Sequence, residues 1–331
     1  MPDLQDNMLA ILCDLGLHSE ESLAHRLKVS RGDIAEQCRE LESLGLSLRV
    51  VTGGYRLPDN IELLSKDVIR QYLEGEADAR LISCDLQIFK TIDSTNRYAR
   101  EEAGRTDLAG SVILSESQSA GRGRLGKVWE SPFAANIYMS VIWNFGVGAK
   151  ALQGLSLAVG VAVRRSLVDL GIAGIQLKRP NDIYCDGKKL GGILLEMIGD
   201  PAGECTVIIG LGLNVSMPAS AAQEIDQPWT DLHAVAPSAV SRNFLVASLI
   251  KSLFKVLGDF PEKGFVAYRD EWQSADLLKG AQGTVSNSGG SISGTILGVD
   301  SAGALRMQLV SGEEQRFIGG ELSLRGASYD S

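Results

Sequence analysis

Residues 110–143 read GSVILSESQSAGRGRLGKVWESPFAANIYMSVIW. At either end, GSVILSES (110–117) and NIYMSVIW (136–143) alternate in the period of two that marks β-strands. Between them Gly121, Gly123 and Gly126 are interleaved with Arg122, Arg124 and Lys127, and Trp129 closes the run. Glycine lets backbone N–H groups approach an anion without side-chain obstruction. Arginine and lysine neutralise phosphate or carboxylate oxygens, arginine through a bidentate fork. Trp129 offers a flat face to an adenine ring. A Gly/Arg loop in a low-complexity tail reads as an RNA contact or a solvated segment. Set between two apolar strands, it reads as an anion-binding loop of a folded domain.

Outward from this loop the same mixture of strand and helix extends over residues 84–275. IFKTIDSTN (88–96) passes from an extended run into a helix beginning near Ser94. ALQGLSLAVGVAVRRSLVDLG (151–171) reads as one long, largely buried helix, and IQLK (175–178) as a short strand. DIYCDGKKLGGILLEMI (182–198) carries the two-residue hairpin signal Asp186-Gly187 between apolar strands. CTVIIGLGLNV (205–215) is another strand, and helices over 241–258 and 261–273 close the domain.

The first 65 residues have a helical period instead. Met8, Leu9, Ile11, Leu12 and Leu15 share one face; Ser19 caps a second helix carrying Leu23 and Leu27 inward. Ser30 caps a third, with Asp33 at its third position and Ile34, Cys38, Leu41 and Leu44 on its apolar side. LSLRVVTGGYRL (46–57) then alternates around Gly53-Gly54, a small hairpin. That order is the layout of a winged helix-turn-helix, or of a small helical bundle used for protein contact. A helical linker over 66–83 joins it to the central domain, and the Gly-rich, short-period β segment 276–331 suggests an SH3-like barrel. The fold class is therefore α/β (α+β) in three domains, within the range expected for 331 residues.

Composition excludes several functions. Five scattered cysteines (Cys13, Cys38, Cys84, Cys185, Cys205) without a CxxC pair argue against a disulfide framework or a zinc ribbon, and all five read as small buried apolar residues. Three histidines, His18, His25 and His233, two of them in the N-terminal segment, leave little for a His-based triad or metal site. The absence of a membrane-spanning run or a signal-peptide pattern points to the cytoplasm. A net charge of −9 gives no general attraction to nucleic acid, so a local cluster of cations asks for a reason.

A second such cluster is Lys178-Arg179-Pro180-Asn181-Asp182, followed by Lys188-Lys189-Leu190-Gly191-Gly192. Pro180 sets a rigid turn and holds Asn181 and Asp182 at the mouth of a strand. Lys189 opens the next strand, where its amine can meet a carboxylate; Lys188 reads equally well as a surface lysine.

GRGRLGKVW, KRPND with KKLGGILLE, and GLGLNV together resemble the biotin–protein ligases. So do IDSTN, Gln118 just before the Gly/Arg loop, and the terminal GGELSLR. The likeness covers roughly 84–325, and the N-terminal winged helix resembles that of the bifunctional ligases that also repress the biotin operon. The resemblance implies a central mixed-sheet catalytic domain of the class II synthetase and lipoate ligase type. It implies biotinyl-5′-adenylate formation from biotin and ATP with Mg²⁺, then transfer to a lysine of the biotin carboxyl carrier protein of acetyl-CoA carboxylase. It assigns Ser94, Thr95, Asn96, Gln118, Gly121, Arg122, Gly123 and Arg124 to biotin, with Lys189 facing its carboxylate. Arg122, Arg124, Lys127, Trp129, Asn181, Asn214 and Arg325 fall to ATP and the adenylate. Lys189, Arg124 and Asp182 carry the chemistry, Asp182 orienting or deprotonating the acceptor amine. Operator DNA would meet Arg31 and Arg39 of a ligand-promoted homodimer. The chain departs from the family where tryptophan is usual at Arg179 and arginine is frequent at Leu125 and Lys127. A biotin-sensing transcription factor without enzymatic activity would not need Arg124, Lys127 and Lys189 arranged for phosphates. A class II aminoacyl-tRNA synthetase would need a tRNA-binding extension.

Overall fold

The computed structural model describes residues 4–13, 16–43, 46, 48–51, 53–58, 61–76, 78–103, 110–199, 203–287, 290–318 and 321–324. Leu15, Leu44 and Arg325 lie outside the described residues.

The N-terminal segment forms α1 (Leu4–Leu12), α2 (Glu20–Leu27), α3 (Arg31–Ser43) and a hairpin of β1 (Arg49–Val51) and β2 (Gly54–Arg56). Ser19 caps α2 by accepting from Ser22 N. At α3, Ser30 Oγ accepts from Asp33 N while Asp33 accepts from Ser30 N at 2.8 Å, the reciprocal cap its spacing predicts. Leu9, Leu12, Leu23, Ile34, Cys38 and Leu41 form the core of this unit, and Phe133 and Ala134, distant in sequence, join it. Of the five cysteines only Cys13 departs from the expected burial: it sits just past the end of α1, on the solvent side.

The segment after the hairpin carries α4 (Lys66–Leu73) and α5 (Ala79–Ser83), whose Ile69, Leu73 and Leu81 are buried in the central core. That core lies against a seven-stranded sheet built from β3 (Leu86–Ile92), β4 (Val112–Gln118), β5 (Ile137–Phe145), β6 (Ile175–Lys178), β7 (Asp182–Cys185), β8 (Lys188–Gly199) and β9 (Cys205–Leu213). Its order is β3-β4-β5-β9-β8-β7-β6; β3 and β4 run parallel and every other pair antiparallel. Asp186 and Gly187 both take positive φ, the mirror-image turn expected of Asp-Gly between β7 and β8.

Helix α6 (Thr95–Ala103) follows β3, and α7 (Leu155–Asp169) is buried along most of its length. The latter starts four residues later than the apolar run suggests, because Gly154 takes a left-handed conformation and a 3₁₀ turn occupies Ala149–Leu152. After the single turns α8 (Ala219–Ala222) and α9 (Leu232–Val235) come α10 (Arg242–Lys263) and α11 (Val266–Ser274). The expected break near 260 is absent: α10 continues through Pro261, since Leu253, Leu257 and Phe260 keep one buried face and only the last turn follows the proline. The C-terminal segment is a five-stranded antiparallel sheet of order β13-β12-β11-β10-β14, with β10 (Gln282–Asn287), β11 (Gly290–Val299), β12 (Leu305–Leu309), β13 (Glu314–Phe317) and β14 (Glu321–Leu324). Its small core is Leu278, Val285, Ile296, Leu305, Met307 and Phe317.

Candidate active site

The Gly/Arg loop folds back as a miniature hairpin. Gly123 N donates to Lys127 O at 2.8 Å, Trp129 N to Gly121 O at 3.0 Å, and Arg122 bridges Val128. A Cβ on Gly121 would lie 2.3 Å from Trp129 O, so this glycine permits the closure of the loop as well as any approach of a ligand. Arg122, Arg124 and Lys127 are exposed on the loop.

Trp129 returns to the sheet and lies against the backbone of β9 and β8. A Cβ on Gly212 would fall 2.5 Å from its indole, and one on Gly192 at 3.4 Å. The glycines of GLGLNV and KKLGG therefore make room for this ring. Trp129 stands between two cavities of about 290 and 300 Å³. Lys127, Val128, Trp129, Lys189 and Gln227 line both.

The first cavity is lined by Ser94, Thr95, Asn96 and Gln118 and by the cations Arg122, Arg124, Lys127, Lys178, Arg179 and Lys189. Thr95 N donates to Gln118 Oε1 at 2.9 Å, Gln118 Nε2 to Ser131 Oγ at 3.0 Å, and Ser131 Oγ to Trp129 O at 2.9 Å. This chain of bonds ties the start of α6 and the end of β4 to the loop. Asn96 is spent within the fold: its amide donates to Glu196 at 2.9 Å, and its oxygen lies 2.8 Å from Ser140 Oγ. It positions α6 on β8 and β9, where a Cβ on Gly210 would come within 2.2 Å of it.

Lys189 Nζ lies 3.0 Å from Asp182 Oδ1 in an ion pair with about four-fifths of each side chain covered, and 5.8 Å from the Trp129 ring. Lys178 faces Asp182 in the β6–β7 register and stands 5.4 Å over the Tyr184 ring. Burial lowers the Lys178 ammonium from its ordinary range, a shift that Asp182 opposes and that Lys189 and Lys127 add to. Two cations thus share one carboxylate. Asn181 donates to Ile193 O at 2.8 Å and accepts from Arg124 at 3.4 Å.

Asn214 lies beside the second cavity, with Trp129, Met217, Ile225 and Trp229. Its amide donates to Thr230 O at 3.0 Å, and its buried oxygen has no hydrogen-bond partner among the described residues. Nor does the buried Trp129 Nε1. Asn181 and Asn214, both expected to meet ATP or the adenylate, consequently line different cavities. Sequence reasoning missed Gln227 and Trp229, and it gave Lys178 no role beyond its place in the cation cluster. Lys178 stood in the same KRPND run, on the strand face opposite Ile175 and Leu177, whereas Trp229 lies in a loop segment whose pattern announces nothing.

Residues 88–214 match the Biotin/lipoate A/B protein ligase family. The chain is 35% identical over 321 residues to the bifunctional ligase/repressor BirA of Salmonella typhimurium, covering 97% of each. It belongs to the biotin–protein ligase family. It is also 36% identical over 174 residues to the biotin--[acetyl-CoA-carboxylase] ligase of Mycobacterium tuberculosis, covering 51% of this chain and 62% of that one. The biotin protein ligase of Aquifex aeolicus, solved in complex with biotin and ATP, superimposes with a TM-score of 0.61 at 26% identity, over 73% of this chain and 98% of that one. In this ligase family member the expected mixed α/β fold holds, with its central mixed sheet and antiparallel C-terminal sheet. Among the described residues, no helix is long and apolar enough to cross a membrane.

Proposed function

We propose that this chain joins biotin to ATP as biotinyl-5′-adenylate and passes the biotinyl group to a lysine of the carrier domain of acetyl-CoA carboxylase. The observation that carries the reading is Lys189, a largely covered cation lining both cavities at the point where they meet. Biotin and the phosphates occupy the first cavity, with Ser94, Thr95 and Gln118 offering hydrogen bonds to the biotin head. Adenine occupies the second, between Trp129 and Trp229, with the unpaired Asn214 oxygen accepting from its amino group.

In the first step a biotin carboxylate oxygen bonds to the α-phosphorus and the bond to the β-phosphate oxygen breaks, releasing pyrophosphate. Two anions must meet for this, so the work lies in positioning and charge stabilisation. Lys189 balances the carboxylate and then the acyl-phosphate oxygen; Arg122, Arg124 and Lys127 hold phosphates. In the second step the acceptor amine attacks the acyl carbon and AMP leaves with the electron pair. Asp182, 3.0 Å from Lys189, orients that amine and takes its proton. Among the described residues no group of three or more His, Cys, Asp and Glu side chains is placed to hold a metal ion. Mg²⁺ therefore fits as a companion of the nucleotide phosphates, which it would neutralise. A cytoplasmic location would accord with these partners.

The exposed Arg31 and Arg39 of α3, with the β1–β2 hairpin beside it, support operator DNA binding by a homodimer. Residues 1–65 carry six basic side chains against eleven acidic ones. DNA affinity rests on phosphate neutralisation, so a monomer binds weakly and binding falls steeply with salt. Biotin-dependent exchange of pyrophosphate into ATP, absent with amino acids, tests the enzyme. A gel shift on a biotin operon control region at low salt, with and without biotin and ATP, tests the repressor. No shift under any condition removes the repressor and leaves the ligase untouched.

A further inference from the structure

Arg179 stands where an aromatic residue is usual in the family, and its surroundings show what the change does. The side chain is buried and lines the first cavity beside Arg124 and Lys178. Its Nε donates to Gly303 O at 3.1 Å and one terminal nitrogen donates to Ile318 O. Both carbonyls belong to the C-terminal domain: Gly303 to the turn between β11 and β12, Ile318 to the residue after β13. A Cβ on Gly303 would lie 3.0 Å from Leu157 and 3.1 Å from Gly154, so this turn is pressed onto the start of α7. Arg179 thus ties the wall of the cavity to the C-terminal segment.

This tie carries an unbalanced charge. No ion pair of Arg179 exists among the described residues. Asp300, whose charge acts on it, instead accepts from Ala302 N and Ala304 N at 2.9 Å and lies 3.8 Å from Arg316. Burial, and then the charge of Arg124, disfavour the Arg179 cation. A buried cation held only by neutral carbonyls lacks the partner that usually balances its desolvation. Two arginines lining one cavity, near enough for the charge of one to act on the other and each with a terminal nitrogen that makes no hydrogen bond among the described residues, fit a multiply charged anion with several acceptor oxygens. The biotin carboxylate is already matched by Lys189, so the anion these two arginines would meet is the polyphosphate.

Resting on the adenylation reading above, we propose that Arg179 is a pyrophosphate-binding residue, holding with Arg124 the β- and γ-phosphates of the nucleotide. The same side chain fastens the C-terminal domain over the leaving group, so nucleotide binding and domain docking reinforce each other. Biotin and the finished adenylate, which lack those phosphates, do not draw on it.

The test compares the full-length protein with Arg179→Met and Arg179→Lys. Pyrophosphate-driven reversal of biotinyl-adenylate to ATP and biotin is measured beside transfer from synthetic biotinyl-adenylate to an acceptor domain. A charge-assisted hydrogen bond lost from a covered site weakens binding by about tenfold to a hundredfold. Arg179→Met should raise the KM for pyrophosphate and for ATP by that factor, and Arg179→Lys by less, with biotin affinity and the transfer rate unchanged. An unchanged KM for pyrophosphate in Arg179→Met would overturn the proposal. So would a transfer rate that falls in the same proportion, since that marks a clamp without a phosphate contact. Absence of biotin-dependent exchange in the unaltered protein would instead sink the adenylation reading, and this inference with it.

Discussion

Replacing Lys189 by alanine separates the chemistry of the site from its architecture. The Lys189 side chain is held by the 3.0 Å ion pair with Asp182 and approaches the Trp129 ring at 5.8 Å, while its backbone bonds to Pro228 and Thr230 are independent of the side chain. Its structural loss is modest. About four-fifths of each side chain is covered, and the Lys178 charge still acts on Asp182 once Lys189 is gone, so losing this charged hydrogen bond is expected to remove about 1–3 kcal/mol of folding stability. The contact with the indole adds about 0.5–1 kcal/mol. The catalytic loss is larger, because Lys189 would stand against the developing acyl-phosphate charge in a site mostly shielded from water. Removing one such contact costs on the order of 10²–10³ in rate, equivalent to about 2.7–4 kcal/mol. A single-turnover measurement of biotinyl-adenylate at saturating biotin and ATP should show this deficit in Lys189→Ala, while thermal unfolding shifts by only a few degrees. A rate equal to that of the unaltered protein refutes the role assigned to Lys189. So does a rate deficit no larger than the fraction of protein unfolded.

Gly212→Ala drives a methyl group to within 2.5 Å of the Trp129 indole, and overpacking of this kind costs about 1–3 kcal/mol. Displacement of Trp129 should merge the two cavities and raise the KM for ATP by about fivefold to 150-fold, if that same 1–3 kcal/mol is drawn from nucleotide binding; a KM within twofold of normal in steady-state kinetics contradicts the partition. Arg242→Ala removes a cation almost wholly buried, 2.7 Å from Glu116 in an ion pair and donating to Asn136 O at 2.8 Å. With the Glu116 charge left uncompensated, denaturant unfolding should show a loss of about 3–5 kcal/mol, and a loss below about 1 kcal/mol would show that the charge is balanced elsewhere. Burial pushes the Asp276 carboxyl up to about 6 from its ordinary 3.8. Its folded value lies above its unfolded one, so its contribution to stability is full below pH 3.8 and lost as the pH rises through about 6. Asp276→Asn should therefore gain up to about 3 kcal/mol over the unaltered protein at pH 8 and little at pH 4; an equal difference at both pH values rejects the burial of a charge there.

Most of the elements and the nature of the site were legible along the chain, because both rest on local patterns. Alternation marked β4 and β5, and an apolar run marked β9; the Ser30–Asp33 spacing marked the cap of α3; Asp186-Gly187 marked the turn that sets β8 beside β7. The cations of residues 121–127 and 178–189 announced an anion site since nothing else in an acidic protein accounts for them. Local pattern erred at Pro261, where the buried face of α10 outweighs one missing backbone donor near the helix end. It erred again at Gly154, where a left-handed residue delays the start of α7.

What only the tertiary structure decided are relations between residues distant in sequence. GLGLNV reads as an ordinary strand end until Gly212 is seen to admit the Trp129 ring. Asn96 looks like a ligand donor until its amide is found joined to Glu196 and Ser140. Asn181 and Asn214 look equivalent until Trp129 stands between their cavities. Arg179 reads as a departure until Gly303 and Ile318 are found holding it. The physical reason is common to all four. Residue types and short spacings determine which backbone states and which chemistry are available, while the partner that satisfies a buried donor or excludes a side chain is brought by the sheet order.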